Sequence, residues 1–290
     1  MALASASARI STLLIQGSGR IGDSATVDVA LSGVLSFAAG MAVATLTAPV
    51  GISGAVFLLP IQLSVLNVPN PAVTPTNLLF NIVSIPGALA RYRRRAPLRS
   101  PLTTLLLVGT LPGVIAGAVI RVFAIPGPDL FRLFVASLLF PLGVWLCLRS
   151  VRPTNEPAPA ASTSKQLIFA LALTVGVIGG IYGVGGGSLL SPILVSRGRT
   201  VSEVAPAALT STFVTSIAGA ATYTVLALTT AGHDIAPDWA VGIICGVGGL
   251  CGGYLGAHLQ PVVPEKVLRA GLGISAVVVA ALYTAQALAY

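Results

Sequence analysis

Charged residues are scarce in this sequence: Asp, Glu, Lys and Arg make up 8% of its 290 residues, while hydrophobic residues make up 55%. A water-facing domain carries about 25% charged residues, so an ordinary cytosolic enzyme and a disordered chain are both excluded. Cysteine is nearly absent. The three present, Cys147, Cys245 and Cys251, lie unpaired in apolar runs, which excludes a full disulfide framework and leaves them as small packing residues. The two histidines, His233 and His258, lie near run borders, far from any cysteine pair. Carboxylates are equally few, and all eight (Asp23, Asp28, Asp129, Glu156, Glu203, Asp234, Asp238 and Glu265) fall outside the apolar runs. No buried acid is therefore at hand for a metal, a proton relay or acid–base catalysis. The segment GVGGGS (183–188) lacks the lysine of a phosphate-binding loop, and no strand precedes it. The sequence predicts no enzyme, catalytic residue, cofactor or metal. Bases outnumber acids by 16 to 8, but 14 of them are arginines at run borders. They serve as topology markers rather than as a nucleic-acid patch.

What is abundant is apolar sequence. Eight acid-free runs follow one another: Val29–Val68, Ala72–Ala90, Leu102–Ile120, Leu133–Leu148, Gln166–Ser196, Val204–Ala231, Trp239–Leu259 and Val267–Tyr290. They carry many of the 32 glycines and 20 prolines, which suits packed and broken membrane helices better than outer-membrane strands. The fold class is an all-α polytopic membrane protein. The first run has 40 residues; as one helix it would reach about 60 Å, twice the hydrocarbon thickness. Gly51-Ile52-Ser53-Gly54 and Pro60 break it. The fifth run, 31 residues long, is broken at Gly183–Gly187, with Pro192 beyond. Residues 1–28 are too polar for a secretory signal and read as a tail or an interfacial segment.

The two broken runs are copies. A shift of 132 without gaps places Gly51 on Gly183, Gly54 on Gly186, Leu58 on Leu190 and Pro60 on Pro192, then Ser84 on Ser216 and Gly87 on Gly219. The second half of each copy matches loosely, with Val108-Gly109 beside Val241-Gly242. The chain divides into an N-terminal tail (1–28), a first transmembrane repeat (29–149), a Pro/Ala/Ser/Thr-rich cytoplasmic linker (150–165) and a second repeat (166–290). Arg91, Arg93, Arg94, Arg95 and Arg99 form the densest basic loop and belong in the cytoplasm, with Lys165, Arg197 and Arg199. The loop Asp234–Asp238 is then outside; Arg121 and Arg132 stand there as exceptions. Each repeat comprises a broken or re-entrant helix pair and three membrane helices. The parity makes the two repeats inverted, the arrangement of secondary transporters.

A helix that restarts inside the bilayer points unpaired N–H groups and a positive dipole end at the midplane, which makes an anion site without side-chain charge. The candidate substrate-binding residues are accordingly Gly51, Ser53, Gly54 and Ala55 in the first break, and Gly185, Gly186, Gly187 and Ser188 in the second. The polar helices that follow add Asn77, Asn81, Thr210 and Ser211, with Gln62 and Tyr182 as lesser candidates. Arg91 is the one base whose long side chain could reach inward. The series Gly109/Gly113/Gly117, Gly176/Gly180 and Gly248/Gly252/Gly256 read as helix-packing stripes.

The segments GISGAVFLLP (51–60) and GVGGGSLLSP (183–192), each followed by a polar helix, the pattern S-x-x-G-A (84–88 and 216–220) and a closing tyrosine (Tyr92, Tyr223), resemble the sulfite exporter TauE/SafE family over about residues 30–288. The resemblance implies a multi-pass protein of the bacterial inner membrane that exports sulfite or a small organosulfonate anion such as sulfoacetate. The alternatives are an importer of a sulfur compound and a non-transporting membrane scaffold. The expected partners are that anion and the lipid bilayer, with no nucleic acid; a homodimer is compatible with the sequence.

Overall fold

A computed structural model describes residues 30–94, 97–125, 127–151, 164–197, 199–230, 235–259, 262 and 264–288. The expected tail 1–28, linker residues 152–163 and the pair His233 and Asp234 lie outside the described residues. Among these residues every regular element is helical. The order is α1 (Ala30–Thr47), a 3-10 turn (Ala48–Val50), α2 (Ala55–Ser64), α3 (Val73–Tyr92), α4 (Pro101–Phe123), α5 (Pro128–Val151), α6 (Lys165–Tyr182), α7 (Gly187–Ser196), α8 (Val201–Thr229), α9 (Trp239–Leu259) and α10 (Glu265–Leu288). All but α2 and α7 are long and apolar enough to cross a bilayer, and the chain is a multi-pass membrane protein. The two exceptions are the halves of the broken runs. At 10 residues each they reach about 15 Å, half a hydrocarbon core.

Glycine stripes set both the contacts and the directions. Gly109, Gly113 and Gly117 of α4 lie on Ala172, Leu173 and Val177 of α6, so the two helices run parallel; a Cβ on Gly117 would stand 2.1 Å from the Val177 carbonyl oxygen. Gly248, Gly252 and Gly256 of α9 lie in the same way on Phe37, Met41 and Thr45 of α1, again in parallel. Helix α9 also runs parallel to α3, with Gly242 on Leu79 and Gly246 on Val83. By contrast α3 and α8 are antiparallel: Gly219 meets Leu78, while Ala205 and Leu209 cluster with Ile85 and Ala88. Helices α5 and α10 are antiparallel too, with Gly143 against Val277 and Gly273 against Cys147. Lipid tails give no hydrophobic reason for helices to associate, so close approach of small residues supplies the packing.

The ends sort into two faces. Ser100, Lys165, Arg199 and Glu203 line one groove, which brings the starts of α4, α6 and α8 together. The α6–α7 pair therefore leaves and returns on this face. On the opposite face Asp238 N donates to Thr76 Oγ1 (2.8 Å), and Ser64 Oγ meets Tyr283 Oη (3.0 Å). The first face carries Arg91, Arg93, Arg94, Arg99, Lys165, Arg197 and Arg199, and by the positive-inside rule this basic excess predicts that it faces the cytoplasm. A cysteine at Arg94 should resist an impermeant maleimide in intact cells, whereas a cysteine at Ala236 should react. The reverse pattern would invert the orientation.

Candidate functional site

Both long helices before the breaks end by one device. Gly51 (φ 72°) and Gly183 (φ 78°) adopt the left-handed conformation that glycine tolerates. The residue after each donates to a carbonyl five positions back: Ile52 N to Thr47 O (3.2 Å) and Val184 N to Gly179 O (3.0 Å). Such a cap satisfies the last carbonyls of a helix end that no water reaches. Tyrosines bind other carbonyls there. Tyr92 Oη donates to Ala48 O and Tyr223 Oη to Gly180 O, both at 2.9 Å. Helix α2 then starts behind Gly54, with Ala55 N donating to Ser53 Oγ (3.2 Å). Helix α7 starts at Gly187, wedged against Ala208 and Ser211 near the middle of α8.

One side chain joins the two breaks. Asn81 of α3 is fully buried; its Oδ1 accepts from Ser53 Oγ in the first break, and its Nδ2 donates to Val184 O in the second (3.0 Å). Asn77, one turn earlier, donates to Ala55 O (2.9 Å), while its Oδ1 has no partner. Gly186 N donates to Thr215 Oγ1 (3.3 Å), and Ser188 Oγ to Val184 O (3.4 Å). Thr110 of α4 shares a hydrogen bond with Ser211 Oγ (3.0 Å) and stands against Gly186. Tyr182 Oη donates to Val56 O (2.9 Å). That carbonyl is left without its helical donor because Pro60, four residues on, has no N–H. A narrow void reaching Ser53 and Gly54 has a volume of about 20 Å³, room for about one water. The breaks are in a closed arrangement whose donors are turned onto the protein's own acceptors.

The structure thus gathers Gly51, Ser53, Gly54, Ala55, Asn77, Asn81, Gly185, Gly186, Gly187, Ser188 and Ser211 around one crossing. It does not bring in Thr210, whose hydroxyl bonds its own helix at Pro206 O (2.7 Å). Arg91 lies in the last turn of α3, ten residues from Asn81 and about 15 Å away along the helix. Gln62 is buried without partners on α2, beyond the break. Sequence reasoning missed Thr110, whose signal was a hydroxyl amid an apolar run. It also misplaced Arg121. With every base expected at a run border, that arginine counted as an outer loop residue; the structure buries it completely. Its defiance of the arginine count was the available signal.

At Gly187 the sequence leads to the expectation that a valine would cost transport more than stability, by filling the approach to the N–H groups. In the fold a Cβ at 187 would lie 2.2 Å from Ala208 O, a backbone atom that cannot yield without moving α8. At Gly54, by contrast, the nearest neighbour would be the Phe80 ring at 3.2 Å, and the backbone is already helical. Gly187→Ala should destabilise by about 3 kcal/mol or more and Gly54→Ala by about 1 kcal/mol or less, read as thermal unfolding in detergent. Equal effects would show that the α7–α8 contact is not as tight as drawn.

Comparisons with known proteins agree with this architecture. A "Probable membrane transporter protein" of Xylella fastidiosa (strain 9a5c) is 28% identical over 241 residues, which cover 80% of this chain and 84% of that protein. No solved structure matches. The family model described as "Sulfite exporter TauE/SafE" matches residues 36–283. With nearly all of its membrane region so matched, the chain belongs to the sulfite exporter TauE/SafE family.

Proposed function

We propose that this protein exports sulfite or a small organosulfonate anion, such as sulfoacetate, across the bacterial inner membrane, binding it where the two broken helices cross. The observation that carries the proposal is the Asn81 bridge. A single amide holds Ser53 of one break and Val184 of the other, so an anion that takes over the Ser53 hydroxyl and the Asn81 amide separates the breaks as it binds. The donors it meets are neutral: those two groups, the Asn77 amide, the Ser188 and Ser211 hydroxyls and the backbone N–H groups of the restarting half-helices. A neutral site offsets the desolvation of an anion without a full opposing charge.

Two features support inverted repeats with the site between them. The corresponding helices α3 and α8 run antiparallel, as do α5 and α10. Two apolar grooves, each about 400 Å³, flank the half-helices and are lined at matched positions: Val43 and Val175, Leu46 and Ile178, Phe57 and Leu189, Pro60 and Pro192, Ile61 and Ile193. Pairs of broken helices related in this way are the common frame for alternating access. The direction follows from electrostatics. Anion efflux is downhill in an inside-negative potential by about 2.3 kcal/mol per charge per 100 mV, so export requires no coupling ion. That accords with apolar runs free of acids.

Proteoliposomes loaded with sulfite, sulfoacetate, sulfate or thiosulfate test the proposal. An inside-negative potential should accelerate release of sulfite or sulfoacetate. Accumulation against the potential would mean uptake, and no flux of any of the four would favour a scaffold. Within the site, Asn81→Ala should weaken anion binding about tenfold or more, while Arg91→Ala leaves it near wild type. The opposite result would place the charge of the site on an arginine of the inner face.

A further inference from the structure

Among the described residues Arg121 is the one charged side chain that is fully buried. It leaves α4 at the outer end, and among the described residues the groups that hold it are neutral. Nε donates to Thr74 Oγ1 (3.3 Å), Nη1 to Ile125 O and Nη2 to Asn70 Oδ1, and the guanidinium lies 4.0 Å from the centre of the Phe131 ring. Two ion pairs occur among the described residues, Arg132–Asp129 and Arg199–Glu203, and neither includes it. A guanidinium keeps its proton and offers five N–H donors, so these bonds leave both charge and donors to spare. A buried guanidinium is costly unless its charge is met, which suits this one to receive an anion.

Its place in the fold ties it to the breaks. Thr74 lies seven residues before Asn81 on α3, about 10 Å nearer the outer face. Thr74 Oγ1 also reaches Ile181 O (3.4 Å), and a Cβ on Gly183 would lie 2.4 Å from Thr74 O. Arg121 is thus linked through one threonine to the outer side of the second break. The arrangement is one-sided. When Gly109 is set on Gly242, the position matching Arg121 is Tyr254, which is 41% exposed on the membrane side of α9. Among the described residues no inner-face base is fully buried; Arg91, the nearest case, is half-buried with an unpartnered Nε.

We propose that Arg121 is the charged centre of an outer anion subsite, which receives a small oxyanion after it leaves the crossing of the breaks. This rests on the anion-transport proposal above. An oxyanion displaces Asn70 and Ile125 from the guanidinium, accepts its paired donors in the bidentate manner that suits planar oxygens, and is drawn away from the neutral central site. Because this fully buried guanidinium lies on the outer side of the crossing, it draws the anion outward from the neutral site.

Asn70→Asp tests this, because it places a permanent carboxylate beside the guanidinium. If Arg121 only ties the outer loops together, the added ion pair leaves anion binding alone. If Arg121 waits for an anion, the variant supplies one internally. Binding of sodium sulfite, sulfoacetate and sulfate to the full chain in detergent at low ionic strength would be measured by calorimetry, beside thermal unfolding. Asn70→Asp should unfold no earlier than wild type, yet bind the tightest of these anions about ten- to a hundredfold more weakly, the range of one charge-assisted hydrogen bond. Arg121→Lys, which keeps the charge and loses the fork, should bind better than Asn70→Asp. Equal binding by all three proteins overturns the subsite. If Asn81→Ala alone is weakened, the outer subsite fails while the central site stands. A wild-type protein that binds none of the anions overturns both.

Discussion

A peptide group inside a bilayer finds no water, so each break in a membrane helix must provide its own hydrogen-bond partners. Much of the interior of this protein follows from meeting that demand twice. The glycine caps at Gly51 and Gly183 close two helix ends through their own backbone. Tyr92, Tyr223 and Tyr182 reach across to carbonyls that the breaks and Pro60 leave open. Asn77 and Asn81 cover what remains, and this is why amides occur in a helix that is otherwise membrane-like. The same groups form the proposed site. The hydroxyl and amide donors that serve the protein's own acceptors here could equally donate to a passing oxyanion, so the structural solution and the proposed transport chemistry draw on one set of atoms.

Much of this was legible in the sequence because the signals are local and repeat. The runs, the breaks, the stripes and the polar residues of α3 could be placed from spacing alone. The helix boundaries came out close to the expected ones, and Pro75, which looks disruptive, falls in the first turn of α3 where a missing N–H is harmless. What could not be read was which donors meet which acceptors. Thr210 and Ser211 are adjacent and chemically alike; a rotation of about 100° along the helix sends one to its own backbone and the other to Thr110. Nor does hydropathy distinguish an arginine at a loop from one folded beneath it, since Arg121 is buried by residues of three separate segments.

The near-symmetry of the halves makes their differences informative. Tyr223 stands one position short of the match to Tyr92, but the carbonyls that accept the tyrosine bonds, Ala48 and Gly180, match across the repeat shift, as do the caps. Ser53 and Asn81 do not: their matching positions are Gly185 and Phe213, a glycine and a half-buried ring. At the crossing the first half therefore supplies the amides, and the second half contributes the hydroxyls of Ser188, Ser211 and Thr215 and backbone, above all the Val184 carbonyl. A frame that is alike on both sides carries a site that is not.

The parallel glycine contacts also bear on how the chain is assembled. Helix α6 fits into α4, which precedes it in the membrane, so its groove is ready when it arrives. Helix α1 fits into α9, which is made nearly a whole chain later. Until then the face of α1 around Phe37, Met41 and Thr45 has only lipid to rest against. Helix α1 is thus locked in place only once α9 arrives, and the seam between the two stays open until then.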